Sequence, residues 1–335
     1  MLPIPSPQNA PILAPIRAEH EQMIRRALLH RKSARTLREY DKAWSYFQSW
    51  CKENDYIALP AEPLTVAAYL AACAQGFTDK AKRKHKPAKL ATLRQWSAAI
   101  GYKHRAAQYE DPTRAEGCKE TLEGLAREYG TAQEKKEPIT REELEQMILH
   151  TPDDLRGARD RALLLVGFSA ALRRSELVAL EMHDVTFSGG YARLTLRQSK
   201  TDQDKQGESI ALPMDTNARL NPVAALVEWI ERAEITEGKL FRKIDRWGKP
   251  WARGLTPGRV AETVKHYADL AGIDPERVSG HSLRAGFITS AARAGRTGEQ
   301  IATVSRHKRM DTLQGYVRDA GTMQSDVVRA VLESV

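Results

Sequence analysis

The chain has 335 residues, 41% of them hydrophobic, which is enough for two ordinary domains, each with its own core. Its 52 Lys and Arg outnumber 43 Asp and Glu, and the net charge of +9 favours polyanionic partners such as nucleic acid. Cys51, Cys73 and Cys118 are far apart and form no CxxC pair, which argues against a disulfide framework or a zinc knuckle. The stretch 1–15 lacks the basic end and apolar run of a signal peptide and no later run suits a membrane span, so a cytoplasmic protein with no membrane partner is expected.

In chain order, residues 1–16 are studded with proline and read as disordered. Ser33 is a candidate cap for a helix in which Leu37, Tyr40, Trp44, Phe47 and Trp50 recur at three- and four-residue spacing. A second helix is predicted from Thr65, with Val66, Tyr69, Leu70 and Cys73 on its apolar face. A third covers 90–107 through Leu93, Trp96, Ile100 and His104, and a fourth covers 113–129. Residues 17–130 therefore read as a small helical bundle. Between its second and third helices runs Lys80-Ala-Lys-Arg-Lys-His-Lys-Pro-Ala-Lys89, basic and without apolar periodicity. It is either a phosphate-contacting loop or a solvated charged one.

The polar stretch 131–138, closed by Pro138, reads as a linker. Thr140, Glu142 and Glu143 then mark a helix start and open a domain running from 139 to 335. Further helices are predicted over 160–168, 176–180, 222–234, 256–271, 282–294 and 298–304, with a last one after Thr322. Residues 191–198 alternate as a strand after the Gly189-Gly190 turn, and 209–212 is its expected partner. The fold class is mainly α: a helical bundle followed by a mixed, mostly helical domain with a small antiparallel sheet.

Several residues could carry chemistry, although each has an ordinary reading when taken alone. Arg173 and Glu176, three apart, could simply pair on a helix start. Lys200 follows a strand and would usually be a solvent-exposed turn residue. His281 and Arg284 lie one helical turn apart and could converge on one anion. His307 precedes Tyr316 by nine positions. At roughly 100° per residue a single straight helix would put those last two on opposite faces, so a break is expected between them. Asp311 is a good cap for a short helix over 312–317, with His307 on the element before it and Arg306-His-Lys-Arg309 beside a bound phosphate.

Order and spacing change the reading. Ala171-Leu-Arg-Arg-Ser-Glu-Leu177, then Ser-Lys-Thr-Asp around Lys200, then His281-Ser-Leu-Arg-Ala-Gly286, then His307 and Tyr316 match, in order, four patterns of the tyrosine recombinase or phage integrase family. The resemblance runs from about Ile139 to the end. The front segment resembles the family's core-binding domain, a SAM-like helical bundle, only in general pattern. Arg306 stands where the family commonly has glycine, so different packing is expected there. Arg174 replaces a commonly apolar residue and leaves open which arginine enters the site; Arg173 is assigned because it lies three before Glu176.

The resemblance implies a site-specific recombinase that cuts and rejoins DNA through a 3′-phosphotyrosine at Tyr316, with no cofactor and no metal. Arg173 and Arg284 would hold the nonbridging oxygens, and His307 would add a hydrogen bond. His281 would manage the tyrosine proton and Lys200 would protonate the departing 5′-oxygen, while Glu176 orients rather than reacts. Should Tyr316 not be the nucleophile, Tyr267 is the next to examine. Double-stranded DNA is the implied partner, with phosphate contacts from Lys80, Lys82, Arg83, Lys84, Lys86, Lys89 and Arg94. A homotetramer on two DNA sites, working through a Holliday junction near the nucleoid, is implied as well. The apolar stripe Met323, Val327, Val328, Val331 and Leu332 suits a tail helix, packed on its own domain or docked in a neighbouring subunit. A type IB topoisomerase resembles the family in its tyrosine, arginines and lysine, and an inactive DNA-binding relative is the other alternative. A metal nuclease fits worse, since the sequence has no carboxylate cluster to hold two metals.

Overall fold

The computed structural model describes residues 17, 19–20, 22–23, 32–130, 136–197, 208–214, 218–307, 310 and 313. The chain divides into two compact units, Met1–Gln133 and Glu134–Val335, taken separately below.

In the first unit, α1 (Ala34–Glu53) begins at Ser33, whose hydroxyl oxygen accepts the Thr36 N–H at 3.1 Å. Its buried face, Trp44, Phe47 and Trp50, packs on Tyr69 and Leu70 of α2 (Pro63–Gln75), Leu93 and Ile100 of α3 (Leu90–Ala106), and Leu125 of α4 (Glu116–Tyr129). Phe47 meets Tyr69 edge to face at 5.1 Å between centroids. Burying each such side chain is worth roughly 1.5–3 kcal/mol, so aromatic spacing alone fixes which faces meet. His104, fully buried, accepts the Ala61 N–H on Nε2 at 2.9 Å and hydrogen-bonds the Ile100 carbonyl through Nδ1 at 2.8 Å, as a structural histidine does.

The basic run is more ordered than its composition predicts. β1 (Phe77–Thr78) and β2 (Lys84–His85) pair antiparallel, and Phe77 stacks on His85 at 4.5 Å. Asp79, its side chain 2% exposed, closes the hairpin by accepting from the Arg83 backbone N–H at 2.8 Å, Arg83 Nε at 2.7 Å and His85 Nε2 at 3.2 Å. Those bonds, the backbone one foremost, hold its carboxyl down to about 2. One buried carboxylate therefore makes a hairpin out of a sequence that reads as a loop.

In the second unit, α5 (Arg141–Leu149) opens with a capping box: Thr140 Oγ1 accepts from the Glu143 N–H at 3.2 Å and Glu143 Oε2 from the Thr140 N–H at 2.7 Å. α6 (Leu155–Ser169) is buried nearly all round and forms the spine of the core. The short α7 (Arg174–Ala179) follows. β3 (Val185–Ser188), β4 (Tyr191–Leu196) and β5 (Glu208–Pro213) form an antiparallel sheet in that order, with Ala192, Leu194 and Leu196 turned to the core. Three strands thus stand where the pattern gives two, because in β3 only Val185 is buried and no alternation marks it. α8 (Pro222–Arg232) precedes a further hairpin, β6 (Arg242–Ile244) with β7 (Pro250–Gly254). That hairpin escapes the pattern because its Trp247 and Trp251 are exposed, under Arg246 and Lys243 respectively. α9 (Pro257–Leu270), α10 (Ser282–Arg293) and α11 (Gly298–Ser305) complete the described elements. The molecule is mainly α with small antiparallel sheets, as the sequence predicts. Among the described residues no helix is long and apolar enough to cross a membrane. Of the helix predicted over 312–317 only Leu313 is described, helical and buried with Ile288, Ala292 and Ile301, and the helix predicted after Thr322 lies outside the described residues.

Candidate active site

The site is built on two chain reversals and one close approach between elements. At the end of α6, Ala171 takes φ +47°, while its N–H bonds Phe168 O at 2.9 Å and the Leu172 N–H bonds Gly167 O at 3.0 Å. This left-handed stop ends the helix and makes Arg173 the N-cap of α7. The carbonyls of Ala170 and Ala171 are left to accept from elsewhere. α10 lies close to the start of the domain because Gly286 has no side chain: a Cβ there would meet the Ile139 carbonyl oxygen at 1.8 Å. That approach sets Arg284, half a turn earlier, in the interior.

Arg284 is 4% exposed. Its Nη1 donates to Ala171 O at 2.7 Å, and its Nη2 donates to Ser305 O and lies 3.4 Å from His307 Nδ1. The second reversal follows α11, where Arg306 takes φ +58° and ψ +40°. Left-handed backbone costs an L side chain roughly 1–2 kcal/mol, the physical reason glycine suits this place. His307 therefore lies beyond the helix end, not on the helix as its spacing predicts.

Arg173 and Arg284 flank His307. Glu176, its side chain 2% exposed, takes Arg173 Nη1 on Oε1 at 2.5 Å and the Arg173 N–H on Oε2 at 2.9 Å. Arg306 Nη2 also donates to Oε2, at 2.9 Å. Burial alone would raise the Glu176 carboxyl, but the Arg173 N–H, its guanidinium and Arg306 outweigh it and hold the group below the usual carboxylate range. Arg174 turns elsewhere. Its stem covers Gly280, where a Cβ would come within 2.2 Å of Arg174 Cδ, and so packs beside the residue preceding His281.

Burial first, then the charges of Arg284, Arg173 and Arg306, push the His307 imidazole down to about 4, so it is neutral at pH 7. Ser305 Oγ lies 2.9 Å from its Nδ1. His281 stands exposed at the N-terminus of α10, its N–H bonded to Ser279 Oγ at 3.2 Å. Lys200 and Tyr316 lie outside the described residues. Glu208, the first residue of β5 after the segment that carries Lys200, has Oε2 3.2 Å from Arg306 Nε.

The structure thus brings Arg173, Glu176, Arg284 and His307 together, with Arg306 and Glu208 as members that the sequence reading did not place there. Arg306 was expected beside the bound phosphate; instead its side chain is 4% exposed and donates to Glu176. The sequence signal was present, since an arginine replacing a left-handed glycine has its stem directed by that backbone. Tyr267 is 2% exposed and its hydroxyl donates to Asp160 Oδ2 at 3.2 Å, with burial raising its pKa, so it is a core residue and a poor rival nucleophile. Lys80, Lys82, Arg83, Lys84, Lys86, Lys89 and Arg94 are all exposed, in the first unit, with Arg83 committed to Asp79. Two guanidiniums beside a neutral imidazole make a site for a tetrahedral oxyanion. Among the described residues no group of His, Cys, Asp or Glu is arranged to hold a metal ion.

Residues 137–322 match the phage integrase family. An integrase/recombinase xerD homolog of Selenomonas ruminantium is 33% identical over 305 residues, covering 91% of this chain and 87% of that protein. The match to the tyrosine recombinase XerD of Vibrio cholerae, 29% identical, covers 48% of this chain and 50% of that one. Among solved structures, the Tn1549 transposon integrase in complex with a circular intermediate DNA aligns with a TM-score of 0.60 at 15% identity, covering 94% of this chain and 98% of that one.

Proposed function

Because the chain belongs to the phage integrase family of tyrosine recombinases, we propose that it is a site-specific DNA recombinase that cleaves and rejoins strands through a covalent phosphotyrosine at Tyr316. The observation that carries this reading is the convergence of Arg284 and His307, in contact at 3.4 Å, with the Arg173–Glu176 pair.

In the proposed reaction Tyr316 Oη attacks the scissile phosphorus. The P–O5′ bond breaks, leaving a 3′-phosphotyrosine and a free 5′-hydroxyl, and the phosphoester energy is kept for rejoining. Arg173 and Arg284 each present donors to the nonbridging oxygens, and one such preorganised donor is worth roughly 3–4 kcal/mol in a transition state. In the tautomer whose Nδ1 accepts from the Ser305 hydroxyl, His307 has its proton on Nε2 and can donate it to the phosphate as a neutral group. His281, exposed at its helix start, is placed to exchange the tyrosine proton with solvent. Lys200 protonates the 5′-oxygen as it leaves. Residues 17–130 serve as the core-binding domain and 139–335 as the catalytic one, joined by 131–138. Two DNA sites are held by a homotetramer through a Holliday junction, with the tail stripe Met323 to Leu332 docked in the neighbouring subunit.

The test is a suicide DNA substrate, nicked so that the short product diffuses away and ligation cannot reverse cleavage. Protein should become trapped on the 3′ end with a free 5′-hydroxyl opposite, without added nucleotide. Trapping on the 5′ end, or free ends alone, would overturn the reading.

A further inference from the structure

We infer that Arg306 is a positioning residue that acts through Glu176 to aim Arg173, a role resting on the strand-transfer reading above.

The argument starts from connectivity. Among the described residues Glu176 Oε1 is held by Arg173 alone, whereas Oε2 is shared between the Arg173 backbone N–H and Arg306 Nη2. The carboxylate is therefore a bridge between two guanidiniums, one 16% exposed and able to meet a substrate, the other 4% exposed and enclosed. The enclosed one is fixed by the chain around it. Its Nη1 donates to Val304 O at 2.9 Å and Ala170 O at 3.3 Å, tying the end of α11 to the turn that presents Arg173. A planar fork holding several acceptors at once has little rotamer freedom, so Glu176 meets a rigid partner rather than a swinging one.

Charge gives the second argument. Among the described residues, Arg173, Arg284 and Arg306 are opposed within the cluster by Glu176 and Glu208, which leaves one positive charge when His307 is neutral. Removing Arg306 would leave Arg173 and Arg284 alone to oppose Glu176 and Glu208, so Arg173 would be drawn further onto the Glu176 carboxylate and away from a substrate. Arg306 Nε and Glu208 Oε2 are buried, 3.2 Å apart, and among the described residues neither has a hydrogen-bond partner. That contact is ionic rather than directed. The well-formed bonds of Arg306 run to Glu176 and the α6 turn, so the first effect of losing it falls on Arg173.

The test is single-turnover cleavage of the suicide substrate by Arg306→Gly, which also relaxes the left-handed backbone, with rates taken per folded molecule. The cleavage rate should fall at least roughly tenfold, a fraction of what losing a transition-state donor outright costs, while DNA affinity stays within about threefold. In a Glu176→Gln background the same substitution should cost less than about threefold, because its route is already cut. Arg306→Lys, which keeps the charge and loses the fork, should recover only part of the rate. Arg306→Gly combined with Glu208→Gln removes the excess buried carboxylate and is read in the same assay should the single variant fold poorly. An unchanged rate per folded molecule, or equal losses in both Glu176 backgrounds, would overturn the inference. Carboxyl NMR of Glu176 gives a readout independent of catalysis: Arg306→Gly should raise its titration midpoint. If no protein cleaves DNA, the strand-transfer reading fails, and this titration alone decides whether Arg306 holds Glu176.

Discussion

A 5′-alkoxide is a poor leaving group and needs a proton as it departs, whereas a thiolate does not. If Lys200 supplies that proton, Lys200→Ala should cleave ordinary DNA very slowly and recover most of its rate on a 5′-bridging phosphorothiolate. Arg173→Ala and Arg284→Ala should recover much less, since the nonbridging charge they hold is unchanged by sulfur. Equal rescue of all three, or none for Lys200→Ala, would leave Lys200 as a DNA-positioning residue. His307 offers a second check at this scale. Its pKa is pushed from 6.5 to about 4 in the folded protein, by burial first and then by Arg284, Arg173 and Arg306. The unfolded chain thus binds the extra proton first, and stability is lost as pH falls from about 6.5 towards about 4. His307→Asn should flatten the fall in Tm across that window; an unaltered slope would mean the imidazole is not held neutral. The order of Arg173, Arg284 and His307 was legible in the sequence because each sits in a short local pattern. The role of Arg306 was only half legible, because its place at a usual glycine signals altered packing but an arginine in a basic run reads as a phosphate contact, and the positive φ directs it to Glu176.

At the scale of elements, the helices could be read because their caps and apolar spacing act locally. Ser33, Thr140 and Thr256 each cap the helix they precede. Two hairpins could not, unlike the alternating β4–β5 pair, since β1–β2 depends on the buried Asp79 and β6–β7 keeps its tryptophans in solvent. The β1–β2 hairpin also sharpens what its lysines are expected to do. With Arg83 engaged by Asp79, the exposed Lys82, Lys84 and Lys86 remain available to phosphates. Changing these three to glutamine should weaken binding to all DNA sequences alike and flatten the dependence of log affinity on log salt by roughly 0.9 per lost contact. An unchanged slope, measured by anisotropy across salt concentrations, would return the hairpin to a solvated surface.

For the whole molecule, a net charge of +9 and a second unit matching the phage integrase family account for DNA as the expected partner. Neither charge nor pattern specifies the DNA sequence or the number of subunits, because those depend on surfaces formed between molecules. The central claim is narrower: one tyrosine, nine residues after His307, becomes linked to DNA. The direct measurement is to digest the trapped protein–DNA adduct and locate the nucleotide by mass spectrometry, alongside Tyr316→Phe, which removes a single oxygen. The account predicts the nucleotide on Tyr316, and a Tyr316→Phe protein that folds and binds the site without forming any adduct. A nucleotide on another residue, or a normal adduct yield from Tyr316→Phe, would contradict it.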